Sequence, residues 1–235
     1  MGSLTLRRLR ARRSRRGASL IEILISFTVL LLLVGLVAEA VTTSRGAYGQ
    51  GMSAAAVEAV ARRTVDSLAQ RLTSASAASV SVDDPTPPPA ANVITWVDFQ
   101  TVQGFAGAPI LAPQSRIQLE LMAGEIEDGL DNNGNGMIDE CRLVFVQDVF
   151  GGGPAIGLAG FVTRLAEGEL ANGADDNGDG QIDEAGFTVV WEPVTAGATG
   201  DRGGRLVLQL TLERASGPQT RVQRTVSTTV RVRSQ

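Results

Sequence analysis

The chain has 235 residues and a formal charge of −4; its basic residues are all arginine, it contains neither lysine nor histidine, and Cys141 is its one cysteine. These absences exclude Ser-His-Asp and Cys-His triads, Ser-Lys dyads, Schiff-base lysines, Walker-type phosphate loops, zinc sites built on His or several Cys ligands, and an intramolecular disulfide. A carboxylate pair is the one acid-base device left, and the length suits a single extracellular domain of ordinary size plus an anchor.

In chain order, the first segment is a basic leader. Arg7, Arg8, Arg10, Arg12, Arg13, Arg15 and Arg16 occur with no acid among them, and removing these seven takes the formal charge from −4 to −11. The remainder is therefore acidic, which argues against a nucleic-acid footprint; the clustered arginines read as the positive-inside flank of an apolar segment. That segment runs from Ile23 to Ala38. With Leu20 and Ile21 added, it reaches roughly 28 Å as a helix, close to the hydrocarbon core of a bilayer. One carboxylate, Glu22, stands at its mouth. An ionised side chain in a spanning helix costs about 2.5–3.5 kcal/mol, so Glu22 implies a partner.

Two readings of this region are open. An ordinary secretory signal would use Arg7 to Arg16 as its charged region, Ile23 to Val37 as its apolar region and Ala38-Glu39-Ala40 as its cleavage site. Against it, the apolar run is at the long end of the roughly 7–15 residues of such signals, and Glu22 is a needless charge. The second reading is a resemblance. Arg15-Arg16-Gly17-Ala18-Ser19-Leu20-Ile21-Glu22 resembles the class III signal of type IV pilins and type II secretion pseudopilins: a basic leader, a Gly before the cut, Glu as fifth mature residue and then an apolar helix. The family motif usually reads Gly-Phe-Thr-Leu-Ile-Glu. Gly17, Leu20, Ile21 and Glu22 match it in register; Ala18 replaces the usual Phe, a departure that bears on methylation more than on cleavage.

The resemblance implies a non-enzymatic filament subunit of a type IV pilus or type II secretion system, of the larger minor sort (J-like or W-like). It implies cleavage after Gly17 by prepilin peptidase, methylation of the Ala18 amine, and Glu22 attracting the N-terminal amine of a neighbouring subunit during assembly. The partners are then other pilin or pseudopilin subunits, the peptidase and the bacterial inner membrane, crossed once with the C-terminal head in the periplasm or exterior. No nucleic acid is expected.

Past the leader (1–17), a spine helix is expected over 18–80, with its membrane segment at about 20–38 and a bend at Gly46, Gly49 and Gly51, where glycines lower helix preference. Val57, Ala61, Thr64, Leu68 and Leu72 recur at spacings of three or four and mark an amphipathic second half. A proline-rich linker follows over 81–92. In the head, 93–235, the period changes to two. Ile117, Leu119 and Leu121, then Leu206, Leu208, Leu210 and Leu212, then Val226, Thr228, Val230 and Val232 alternate with other residues, as half-buried strands do. Further strands are expected at Ile94 to Val102, Arg142 to Val149, Phe161 to Leu165 and Phe187 to Glu192. With no long helix between them, the sheet should be mainly antiparallel and the fold class α+β. Cys141 reads as a small buried residue at a strand start.

Two segments, 125–140 and 169–184, repeat 44 residues apart and, with Glu167, hold 13 of the 25 acids. Each places oxygen-bearing side chains at loop positions 1, 3 and 5 and Gly at 6. These are Asp131, Asn133, Asn135 and Gly136 in the first, and Asp175, Asn177, Asp179 and Gly180 in the second. The carbonyls of Met137 and Gln181 fall at position 7, Ile138 and Ile182 point inward at 8, and Asp139 and Asp183 stand at 9. Such a pattern suits Ca²⁺, which takes six to eight oxygens at about 2.3–2.6 Å, and two Ca²⁺ sites are expected. The EF-hand resemblance stops at position 12, where Arg142 and Gly186 replace the bidentate Glu; the spacing is more similar to the loops of dockerins and thrombospondin type 3 repeats. The missing oxygens come from Glu140 and Glu184, or from Asp128 with Glu125 and Asn172 with Glu169. Plain Asn-Gly and Asp-Gly hairpin turns are the simpler alternative, but turns do not explain the surplus carboxylates. Two other functions stay open: a calcium-dependent surface adhesin, anchored or secreted, and a carboxylate-pair hydrolase.

Overall fold

The computed structural model describes residues 19–82, 95–178, 180, 182–193, 204–216 and 220–232. Gly17, Ala18, Asp179, Gln181, Ile94 and the prolines of the expected linker lie outside the described residues. The chain divides into two units, Met1–Tyr48 and Gly49–Gln235, and helix α1 (Leu20–Thr73) contributes to both.

In the first unit α1 begins where the Ser19 carbonyl accepts the amides of Glu22 and Ile23 at 2.9 and 3.1 Å. Glu22 occupies the first turn, where a carboxylate complements the positive end of the helix dipole. Every described residue of this unit is exposed. Each Leu, Ile or Val left in water forgoes about 1.5–3 kcal/mol of burial, so an uncovered run from Ile23 to Ala38 calls for non-aqueous surroundings. Its length and composition are compatible with a single membrane pass. The backbone stays helical through Gly46, Gly49 and Gly51.

The second unit is α+β. From Gly49 the helix lays Val57, Ala61, Thr64, Val65, Leu68 and Leu72 into the core, the face its three-and-four spacing marks. It stops at Thr73, short of the expected 80. Ala75 then bridges to Thr101, and Ala77–Ser79 form a 3₁₀ turn. The sheet starts inside the expected linker, since β1 (Ser81–Val82) pairs with β2 (Trp96–Phe99).

All pairings are antiparallel, as expected from strands without crossover helices. A small hairpin of β3 (Val102–Phe105) and β4 (Pro109–Leu111) stands apart. The main sheet continues from β2 through β5 (Ser115–Leu121), β6 (Cys141–Val146) and β7 (Ala155–Val162) to β9 (Gly204–Ala215) and β10 (Arg221–Val232), with β8 (Phe187–Pro193) also on β9. Leu206, Leu208, Leu210 and Leu212 all face the core together with Val97, Phe99, Ile117, Leu143 and Phe187. The strand expected at Phe161 to Leu165 lies earlier. At Phe161 the backbone turns to φ 60, rare for an aromatic residue, and Val162 is left opposite both Cys141 on β6 and Leu212 on β9. The β5–β6 connection is the first repeated loop, and the second lies between β7 and β8.

Candidate metal-binding loops

The first loop is organised by side-chain oxygens that accept backbone amides. Asp131 Oδ1 takes the amides of Gly134 and Asn135 at 2.7 and 3.1 Å, and its Oδ2 takes that of Gly136 at 2.7 Å. Asn133 Oδ1 accepts the Asn135 amide at 3.0 Å, and Asn135 Oδ1 the Met137 amide at 2.9 Å. These short-range bonds wind the chain into a tight spiral, which needs left-handed backbone at Gly134 (φ 74) and Gly136 (φ 88). The side-chain amides of Asn133 and Asn135 both donate to Glu140 Oε1, the former at 2.7 Å, so residues at positions 3 and 5 and Glu140 converge.

Two carboxylates brace the spiral from outside. Glu125 Oε1 accepts the Asn133 amide at 2.9 Å, and Asp139 takes the amides of Asp128 and Gly129 at 3.2 and 2.9 Å. Both oxygens of Asp139 are thus engaged with the upstream turn. Glu140 and Glu125 are only 3% and 7% exposed, and the Oε2 of each is buried without a hydrogen-bond partner among the described residues. A buried carboxylate oxygen left in this state is costly unless a cation or a proton meets it.

The second loop repeats this plan. Asp175 takes the amides of Gly178 and Gly180 at 2.6 and 2.9 Å, and Asn177 donates to Glu184 Oε1 at 2.6 Å. Glu169 accepts the amides of Asp176, Asn177 and Asp183, while Asp183 accepts those of Asn172 and Gly173. Asp139 and Asp183 share a φ of 50, and Gly124, Gly129, Gly134 and Gly136 match Gly168, Gly173, Gly178 and Gly180 to within five degrees. The sequence repeat is therefore also a backbone repeat.

One expectation is corrected. Ile138 and Ile182 do not point inward: they are 43% and 51% exposed, whereas Met137, one residue earlier, is 4% exposed. The positive φ that follows at Asp139 turns the chain toward Asp128 and Gly129, so in the first loop Met137 is the buried residue and Ile138 the exposed one.

The loops adjoin because β6 begins at Cys141, which pairs with Val162. Arg164, just beyond β7, forms an ion pair with Glu127 of the first loop, a link that no sequence spacing signals. Cys141 is buried beside this pair. Burial pushes its thiol up to about 12 against a partly opposing Arg164, and Glu127, Glu140 and Asp139 add to the rise. The bracing roles of Glu125 and Glu169, given only as possible ligands by the sequence, could have been read by extending the repeat one residue upstream to Gly124 and Gly168.

Among the described residues no three acidic or cysteine side chains form a ready metal cluster; what the loops gather is a mixed set of carboxylate and side-chain amide groups. No family model, curated protein or solved structure matches the chain. The site must be judged on its own chemistry. Crowded oxygens, a wound backbone and buried acidic oxygens are the features of both loops on which any functional reading has to rest.

Proposed function

We propose that this chain is a pilin-like subunit, of a type IV pilus or type II secretion filament, whose head is stabilised by Ca²⁺. The observation that carries the filament reading is α1. The chain places the Gly17-to-Glu22 register at the head of a helix whose apolar first part is wholly exposed, and whose second part forms the core of an antiparallel domain. A membrane-stored helix that later packs against neighbouring subunits needs both properties in one element. Glu22, an exposed carboxylate in the first turn, is free to meet the amine of another subunit once the chain is cut before Ala18.

The calcium part of the reading is supported by the first loop. Asp131, Asn133, Asn135, the Met137 carbonyl and Glu140 are its donors, with Glu140 standing for the missing position-12 Glu; Asp139 serves mainly as a brace. Asp175, Asn177, Asp179, the Gln181 carbonyl and Glu184 take the equivalent places in the second loop, with Asp183 as brace. Bound Ca²⁺ would offset the crowded carboxylates and stiffen both loops.

Mass spectrometry of the mature chain tests the filament reading. An N-terminus at Ala18, with Gly17→Trp leaving the precursor uncut, is the expected result. A start at Val41 would instead indicate a secreted protein, and an intact Met1 an uncleaved anchor.

A further inference from the structure

We propose that strand β10 pairs edge to edge, antiparallel, with the β10 of a second copy of this chain; the proposal stands apart from the calcium and filament readings. Along the path of the main sheet the outer strands are β1 and β10. β1 has two residues and offers almost no ladder. β10 has twelve, in unbroken register with β9 from Arg221 opposite Ala215 to Val232 opposite Gly204. A long, regular outer strand presents a row of N–H and C=O groups that another strand can complete.

The hydrogen bonds of β9 and β10 fix which residues face outward. Thr211 turns its backbone away from β10: its amide donates to the Gly186 carbonyl at 2.6 Å, and its carbonyl accepts the Thr163 amide at 3.2 Å. Thr225, opposite Thr211, therefore sits in a non-hydrogen-bonded pair, as the 2.8 Å between the two hydroxyls also indicates, and directs its own N–H and C=O to the free edge. The direction alternates along the strand, so Gln223, Ser227 and Thr229 do the same. Toward the β9–β10 turn this edge is already occupied. Glu167 accepts the Thr225 amide at 3.0 Å, and Arg224 donates to the Gln223 carbonyl at 2.7 Å. Beyond that point no hydrogen bond among the described residues completes the outward groups of Ser227 and Thr229, and both residues are exposed. The stretch from Val226 to Val230 also lacks the charge, glycine or proline that commonly guards an edge.

The sequence of this stretch is complementary to itself, which identifies the occupant. Antiparallel pairing about Thr228 sets Ser227 opposite the Thr229 of the second copy, two outward-facing residues that can exchange both bonds, and two-fold symmetry repeats the exchange. Val226 then opposes Val230, extending the apolar face that both already turn to the core, and Thr228 meets its own counterpart on the axis. Charge agrees with this register. From Arg214 onward the chain has five arginines and no acid, so a badly chosen register would oppose like charges. Here Arg224 opposes Val232, and Arg231 opposes Thr225, at the end of the strand where Glu167 is held. Each copy therefore brings a guanidinium toward the other's carboxylate. Such a contact uses the same patch on both copies and closes as a dimer.

The test uses the full-length chain in detergent micelles. Thr228→Cys puts a thiol at the axis in a non-hydrogen-bonded pair, where Cα atoms about 4.5 Å apart are within reach of a disulfide. Buried Cys141 stays in place because its raised pKa keeps it protonated and poorly reactive, and the wild type measures its background. Mild oxidation should turn most Thr228→Cys chains into a disulfide-linked dimer, whereas Arg221→Cys, far from the axis, should stay monomeric. Light scattering of the wild type should give twice the mass of one chain. Thr229→Pro, which removes an N–H that the fold itself does not use, should halve that mass without lowering the melting temperature. Ser227→Arg combined with Thr229→Arg opposes like charges without touching the backbone and should do the same; Ser227→Arg combined with Thr229→Glu should restore the dimer. No disulfide at Thr228→Cys, or a dimer that survives both disrupting variants, would overturn the proposal, the second result moving the association elsewhere in the chain. Oxidation in intact cells that links Thr228→Cys only to a different protein would assign the edge to a foreign strand. Slow hydrogen exchange at the Ser227 and Thr229 amides in a monomer would assign it to another segment of the same chain; either result also overturns the proposal.

Discussion

Burial at a single residue can set how the whole head responds to alkali. The Cys141 thiol has an ordinary pKa of 9.0, raised to about 12 chiefly because β6 and its neighbours exclude water, with Arg164 opposing and three nearby carboxylates adding to the rise. The sign follows from linkage: below pH 9 the thiol is protonated in both folded and unfolded chains, and its full contribution to stability is present. Between about 9 and 12 only the unfolded chain releases the proton, so this contribution is lost as pH rises. The expected outcome is that the stability of the wild type relative to Cys141→Ala is constant up to about pH 8.5 and then falls through that window, as read by urea unfolding at each pH. A difference that stays flat to pH 11 would show that the thiol reaches water in the folded head. Cys141 was legible in the sequence as a buried residue at a strand start because a lone small apolar residue opens an apolar run there. Its charged neighbours were not, since Arg164 and Glu127 are 37 residues apart and meet only through the β6–β7 pairing.

At the scale of elements, periodicity was informative wherever one face of an element is buried. The helix stripe from Val57 to Leu72 and the alternating leucines of β9 fall where spacing puts them, because a core selects one face of each. Boundaries were less legible where backbone conformation rather than apolarity decides. β7 ends at Val162, one residue after Phe161 takes a positive φ, and Ile138 turns outward ahead of the positive φ at Asp139; neither residue type announces this. The loops were legible as a repeat, yet which carboxylates converge and which brace depended on the fold. That division yields a prediction. Glu140→Gln keeps an oxygen acceptor for the side-chain amides of Asn133 and Asn135 but removes a buried charge, so it should leave stability in EDTA unchanged or slightly higher while weakening the response to Ca²⁺. A ligand bound by the folded state alone adds about 2.7 kcal/mol at 100 times its Kd, and loss of one site of two should remove about half of the calcium-induced rise in melting temperature. Mg²⁺ should do much less in either chain, since it demands a tighter octahedral site. Equal calcium responses from Glu140→Gln and wild type would take Glu140 out of the ligand set, and a wild-type melting curve unmoved by EDTA would return both loops to simple turns.

For the whole molecule, the decisive feature is that one continuous helix serves two units with opposite requirements. Its second part is fixed by the core of the head, whereas its first part carries an apolar run with no cover and one carboxylate at its start. These demands are met in turn if lipid covers the run first and neighbouring helices cover it later. On the proposed filament reading, a carboxylate between packed helices must find a cation, and the amine that cleavage before Ala18 would create is the partner proposed for Glu22. Removing the carboxylate should therefore have opposite effects on the two states. Glu22→Ala is expected to insert into the membrane at least as well as wild type, because an apolar run gains a residue and loses a charge. Its recovery in sheared filaments, or in pull-downs of partner subunits, should fall several-fold. Glu22→Asp, which keeps the charge on a shorter side chain, should recover part of the loss, whereas Glu22→Gln should not. If Glu22→Ala enters filaments as well as wild type, the carboxylate has no pairing role; if its membrane insertion also fails, Glu22 acts on the anchor and not on assembly.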